Sequence, residues 1–198
     1  MKKTKIYIFG FLLILMLLVA FGCADNPSPV PANEAFPPEF KGFMQGKRIY
    51  LTSIGQSIEV ENLSENLKGF PEINYVQNNF LDALEIPRGS VVFVVVGCSI
   101  KAMSESGIQV EAEAMRMREF NKRANNKEIT LVTWHIGGMA RRGSTSDSFI
   151  QELIESSSLF LFSATGNQDG MLSAWAEQAQ TPYCQFRTGI ASMLRNLR

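Results

Sequence analysis

Hydrophobic and polar residues follow two alternating periods from about Lys47 to the C-terminus. Short apolar or β-branched runs predict strands, and the segments between them carry apolar residues at helical spacing, which predicts amphipathic helices. Strands are predicted near residues 48–53, 73–76, 91–96, 129–136, 159–162 and 183–186, with helices near 60–67, 108–125, 149–154, 172–180 and 190–196 and a helical turn within 80–85.

The central strand of this pattern is the unbroken apolar run from Val91 to Val96. A strand without polar alternation is typical of a parallel sheet that is covered on both faces. The fold predicted from the whole pattern is a three-layer, doubly wound α/β domain with a mainly parallel sheet of five to six strands. Right-handed crossovers would bring the loops that follow the strands to one edge of the sheet, where such folds bind ligands.

The N-terminus has the organisation of an export signal: a basic start, an apolar run from Ile6 to Phe21, and Gly22-Cys23. We expect residues 1–22 to be a lipoprotein-type signal peptide and Cys23 to be the lipidated residue. An uncleaved membrane anchor and ordinary secretion are the alternatives. Residues 23–46 are rich in proline and are expected to form a tether. Residues 47–198 would then be a single extracytoplasmic domain that is held at the membrane.

The formal net charge is zero, and three of the basic residues lie in the leader at Lys2, Lys3 and Lys5. The remaining chain is therefore slightly acidic, which argues against a nucleic-acid partner. Two cysteines follow the leader, Cys98 and Cys184, and their positions in separate strands predict two buried thiols rather than a disulfide.

The densest group of candidate functional residues lies between His135 and Asp147. Arg141 and Arg142 could bind a carboxylate or phosphate beside a helix N-terminus, with Gly137 and Gly138 allowing close approach of the backbone. The alternative is that one arginine pairs with Asp147 or Glu152 and the other is solvated. His135 could serve as a general base, although a lone histidine at a strand end is more often structural.

Further polar residues are predicted at the same edge and complete the candidate ligand-binding set. No cofactor is expected, because the phosphate-binding and dinucleotide-binding glycine motifs are both absent. No metal site is expected either, because the only histidine has no Cys/His partners at metal-ligand spacing; a cation site at Asp147 and Asp169 has weak support. The further polar residues that are predicted at this edge as ligand-binding candidates are Gln56, Ser57, Ser99, Ser146, Asp147, Asn167 and Asp169.

The segment His135 to Ile150 has the form H-I-G-G-x-A-R-R-G-x-x-S-D-x-F-I. With L-T-S-x-G-Q-S at 51–57 and G-N-x-D-G at 166–170, it resembles an uncharacterised family of exported bacterial proteins that is known as a domain of unknown function. The resemblance covers nearly all of the chain from Lys47 onward. It implies a flavodoxin-like fold and supplies no activity or catalytic residue.

Three functions are compatible with these observations. The first is a membrane-tethered binding module for a small polar, anionic molecule at the strand ends. The second is a hydrolase or transferase that uses His135 as general base and the arginines to stabilise an oxyanion. The third is an envelope scaffold that binds another protein. Whether the protein is an enzyme stays open, with binding favoured because no nucleophile motif is present.

Overall fold

The computed structural model describes residues 35–187 and 189–198. Its centre is one open sheet of six parallel strands in the order β2-β1-β3-β4-β5-β6. The sheet confirms the predicted α/β fold, and the order reverses between β1 and β3. The strands are β1 (Ile49–Ile54), β2 (Tyr75–Gln77), β3 (Val91–Val96), β4 (Thr130–His135), β5 (Leu159–Ser163) and β6 (Tyr183–Phe186).

Helices cover both faces of the sheet because alternate side chains of each strand point to opposite sides. One core joins Leu51, Phe93 and Trp134 to α1 and α6, and the other joins Val92 and Phe160 to α3, α4 and α5. The helices are α1 (Glu59–Leu67), α2 (Ile100–Glu105), α3 (Val110–Asn125), α4 (Ser144–Ile154), α5 (Met171–Gln178) and α6 (Ile190–Leu197).

The segment before β1 packs on the domain. Phe36, Phe40 and Phe43, which are too apolar for a pure spacer, lie against the core that α1 and α6 share. The backbone N–H groups of Gly42 and Met44 donate to carbonyls in the last turn of α6, 3.0 and 2.8 Å away. Because α6 runs back from the end of β6, this attachment lies at the amino-terminal edge of the sheet.

The expected signal peptide, Cys23 and the first part of the tether lie outside the described residues. Within the described part of the chain, no helix has the length and hydrophobicity needed to span a membrane.

One helix of the structure was not predicted from the sequence, and another begins earlier than predicted. An additional helix, α2, begins after Ser99, whose hydroxyl accepts from Ala102 N at 3.3 Å. This short helix has little amphipathic pattern, so periodicity alone does not reveal it. Helix α4 begins at Ser144 after Gly143, earlier than the start near residue 149 that the sequence pattern predicts. Ser146 is therefore helical, and its hydroxyl accepts a hydrogen bond from Cys98 N in the loop after β3.

Candidate functional site

The carboxyl-terminal edge of the sheet begins with a tightly packed crevice between β1 and β3. A Cβ at Gly55 would lie 2.8 Å from Cys98 Cα and 2.9 Å from Gly97 O, so only glycine allows this contact. Ser99 N donates to Gly55 O at 2.8 Å, and Cys98 N donates to Ser146 Oγ at 2.7 Å. Backbone therefore fills the crevice at the reversal of strand order, and open space must lie elsewhere along the edge.

Glu113 and Arg116 of α3 support the end of β1 from the opposite side. Gly55 N donates to Glu113 Oε1 at 2.8 Å, while Arg116 pairs with the same carboxylate and donates to Ser53 O. The side chain of Arg116 is only 17% exposed. Its long side chain folds back to the sheet because Glu113, three residues earlier, is almost completely buried there.

A second ion pair joins the loop after β4 to the start of α1. Arg141 Nε donates to Glu59 Oε1 at 2.6 Å, and Ser57 Oγ donates to Glu59 Oε2 at 2.6 Å. Burial alone would raise the pKa of Glu59, but hydrogen bonds from Ser57, the backbone and Arg141 outweigh it and hold that pKa below its usual range. Glu59 was not predicted as a site residue, although an acidic residue in the first helical turn was visible in the sequence.

Gly137 creates the space that Arg141 occupies. A Cβ at Gly137 would lie 2.2 Å from Arg141 Cγ and 2.9 Å from Glu59 Oε1. The arginine stem therefore lies directly against the backbone of the loop after β4. Within the described residues, its two Nη atoms have no hydrogen-bond partner, and 32% of the side chain is exposed.

Arg142 has the opposite environment, since only 3% of its side chain is exposed. Its Nε and Nη2 atoms donate to the two oxygens of Asp147, and Nη1 donates to Gly166 O at 2.8 Å. Both Nη atoms also contact Asp169 at 3.4 Å. All five N–H groups of this guanidinium thus have acceptors inside the protein. Arg142, Asp147 and Asp169 form a structural cluster and leave no donor for a ligand.

His135 is fully buried between the loops that follow β3, β4 and β5. Its Nδ1 lies 3.0 Å from Val96 O and its Nε2 lies 3.3 Å from Gly138 O. A Cβ at Gly166 would lie 2.8 Å from the imidazole, so a glycine closes the remaining side. Burial lowers the pKa of His135 despite the two carbonyls. This geometry supports a structural role, because a general base must reach the proton of its substrate.

Asn167 is also engaged within the fold. Its side-chain oxygen accepts from Leu172 N and Ser173 N, and its amide nitrogen donates to Ser173 Oγ and Gln185 Oε1. Asn167 therefore holds the start of α5 against β6. Gln56 differs: it has a positive φ of 55°, and its Nε2 atom is buried without a hydrogen-bond partner among the described residues.

An open cavity of about 670 Å³ lies farther along the same edge, at the ends of β4, β5 and β6. Asn62 and Asn66 of α1 form one wall, and the first residues of α6 form another. Asn62 lies one helical turn after Glu59, and Ile136 of the lining precedes Gly137, so two lining residues are close along the chain to the Arg141–Glu59 pair, which is not itself part of the lining. The other lining residues are Glu65, Ile136, Ser163, Ala164, Thr165, Phe186, Arg187, Gly189 and Ile190.

The predicted residues thus share one edge but not one surface. Ser57, Gly137 and Arg141 meet around Glu59, whereas Gly138, His135, Arg142, Ser146, Asp147, Asn167 and Asp169 mainly connect neighbouring loops. Cys98 and Cys184 do not form a disulfide with each other, and Cys184 is buried while Cys98 is only partly so. Burial, together with the negative charge of Glu113, raises the pKa of Cys98, which makes it a poor nucleophile. No described residues form a group of three or more carboxylate, cysteine or histidine ligands for a metal ion.

Comparison with known proteins gives one match to a family and one to a solved structure. The model of a domain of unknown function (DUF6305) matches residues 46–193. The regulatory domain of the master biofilm regulator CsgD is 15% identical, with a TM-score of 0.33 over 74% of this chain and 97% of that chain. No curated protein sequence matches the chain.

Proposed function

This chain belongs to the DUF6305 family, whose function is unknown, and we propose that it is a membrane-tethered extracytoplasmic binding module for a small polar, anionic ligand. The observation that carries the proposal is the cavity at the ends of β4, β5 and β6, together with the partly exposed Arg141 on the same edge of the sheet. Its volume of about 670 Å³ is within the range of small-molecule sites. Its walls also supply both amide and hydroxyl groups for orienting a polar molecule.

Three cationic features favour an anionic ligand. Arg141 has two Nη groups without a partner among the described residues, held by the Nε contact with Glu59. Arg187 lines the cavity, and α6 starts there at Gly189 without a side-chain cap. An uncapped helix start directs N–H groups and a partial positive charge outward. Glu65 is the acidic residue of the lining, so a ligand with a hydroxyl or ammonium group as well as an anionic group would suit the cavity.

The tethered location rests on the sequence of residues 1–46. Within the described residues, the segment at Gly42 and Met44 is attached at the amino-terminal edge of the sheet, whereas the cavity lies at the carboxyl-terminal edge.

Thermal unfolding of the full-length protein with simple anions tests this function. Phosphate, sulfate, acetate and citrate would be added at constant ionic strength. An anion at about one hundred times its Kd stabilises the folded state by about 2.7 kcal/mol, which raises the Tm of a domain of this size by about 5 to 10 °C. We expect Arg141→Gln to remove the rise and Arg88→Gln, at an arginine that is 79% exposed elsewhere on the surface, to retain it.

If none of the four anions raises the Tm of the wild-type protein, anion binding at this edge is refuted. An equal rise in the Arg141→Gln variant would place the anion elsewhere. The alternative of a hydrolase or transferase gains no support from the buried imidazole of His135. A scaffold function would use a different surface, the outer face of α3.

A further inference from the structure

The outer surface of α3 carries an exposed apolar cluster that shares no lining residue with the cavity at the ends of β4, β5 and β6. Met115 of α3 is 62% exposed, and Phe80 and Leu84, on either side of Asp82 in the connection between β2 and β3, are 55% and 71% exposed. All three side chains line one depression of about 530 Å³. Large apolar residues that are this exposed and this close together mark an interaction surface more often than isolated ones do.

A second depression, of about 610 Å³, lies on the other side of the same helix and extends to α4. Both depressions are lined by Met115 and Arg118, so these two residues form the ridge between them. Val110, Ala114 and Phe149 give the second depression an apolar floor. We call the two depressions and their ridge the α3 groove. Apolar side chains that are one turn apart on a helical peptide could occupy the two depressions on either side of the ridge.

The α3 groove is bordered by acidic groups. Its acidic lining residues are Asp82, Glu111, Glu119 and Glu152. The most exposed cation of the lining is Arg118, which pairs with Glu152 at 2.9 Å. Arg116 also lines it, but its guanidinium is paired with the buried Glu113 and donates to backbone near β1. Glu119 pairs in turn with Lys122 at 3.7 Å, so Asp82 and Glu111 are the rim carboxylates that have no cationic partner among the described residues. The groove therefore presents an apolar floor with two unpaired carboxylates at its rim.

We propose that the α3 groove docks a basic amphipathic helical segment of a partner protein. The apolar face of such a segment would cover Phe80, Leu84 and Met115, and its lysines or arginines would lie opposite the acidic rim. The partner is identified by charge complementarity, since an acidic segment would place like charges opposite the carboxylates of the rim. The groove belongs to the layer of α3 and α4, whereas the cavity belongs to the layer of α1 and α6. The inference is therefore independent of the proposed ligand binding.

Fluorescence anisotropy with two synthetic 18-residue helical peptides tests the inference on the full-length protein. One peptide has leucine on one face and lysine on the other, and its counterpart has glutamate in place of lysine. We expect the leucine/lysine peptide to bind and the leucine/glutamate peptide not to bind. Leu84→Ser and Met115→Ser should each weaken binding by at least about tenfold, the scale of one lost apolar contact. The exposed positions of both residues leave folding intact.

Ile100→Ser is the matched control, since Ile100 is 58% exposed on α2 and lies outside the α3 groove. Binding that is unaffected by Leu84→Ser and Met115→Ser, or that falls equally with Ile100→Ser, overturns the proposal. Equal binding of the two peptides overturns the basic character of the partner. A concentration-dependent dimer in light scattering that Leu84→Ser dissolves would assign the α3 groove to a second copy of this chain instead.

Discussion

Replacing Gly137 with alanine adds one methyl group at the point where the Arg141 side chain packs against the backbone. The added carbon would lie 2.2 Å from Arg141 Cγ and 2.8 Å from Arg141 Cβ, where carbon atoms normally approach to about 3.5 to 4.0 Å. Gly137 does not have a left-handed backbone angle, so the contact is the source of strain. Arg141 must therefore leave its rotamer and withdraw Nε from Glu59.

The loss in free energy of unfolding that we expect for Gly137→Ala has two contributions. Inserting a methyl group into a packed position costs about 1 to 3 kcal/mol. Losing the Arg141–Glu59 pair adds at most about 1 kcal/mol, because a third of the arginine side chain is exposed and solvent screens the pair. Together these contributions, about 1 to 4 kcal/mol, lower the Tm of a domain of this size by about 2 to 16 °C.

Differential scanning calorimetry and urea unfolding would measure the loss. Gly189→Ala is the control, because a Cβ there meets no atom within 4 Å and its φ is negative. In an Arg141→Ala background, Gly137→Ala should cost less, because the contact at 2.2 Å no longer exists. A Gly137→Ala variant that melts within about 1 °C of wild type, or a cost that is unchanged by Arg141→Ala, would refute the reasoning.

Three other predictions follow from the ionisable groups of the edge. Arg142→Met should cost about 2 to 4 kcal/mol in urea unfolding and more than Arg141→Met, because it leaves the carboxylates of Asp147 and Asp169 without their shared cation. Glu59 has a lowered pKa, so its stabilisation is present above the ordinary carboxyl range and disappears as the pH falls through the folded-state pKa; Glu59→Gln should reduce this acid sensitivity. The lowered pKa of His135 means that the unfolded chain binds its proton more readily, so stability should fall as the pH drops below about 6.5, and His135→Gln should reduce that slope.

The sheet is the part of the structure that its sequence predicts best. Val91–Val96 has the same bounds in the sequence pattern and in the structure, because a strand buried on both faces must be continuously apolar. Helix α2 was not predicted, because its six residues are held by the Ser99 cap and by Met103 rather than by an apolar stripe. Propensity carries little information over so short a helix.

The sequence predicted which edge of the sheet carries the candidate site, but it did not predict the individual side-chain contacts there. Topology brings the loops together, and this follows from strand order alone. Which polar group faces solvent depends on side-chain directions over a few ångströms, as Glu59 and Glu113 show. Both are acidic residues in the first turns of amphipathic helices, where solvent exposure is the usual expectation. Each is instead held inward by an arginine, Arg141 from another loop and Arg116 from the same helix.

The consecutive arginines show most clearly why sequence left the alternatives open. Arg141 reaches Glu59 at the start of α1, and Arg142 reaches Asp147 in the first turns of α4, so the pair extends to helices on opposite faces of the sheet. A dipeptide at the edge of a three-layer domain can join both outer layers in this way. Such bridging consumes all five donors of Arg142 but only the Nε donor of Arg141. The structural role and the proposed anion-binding role are therefore assigned to neighbouring residues, and their different exposures make the two roles separable by single substitutions.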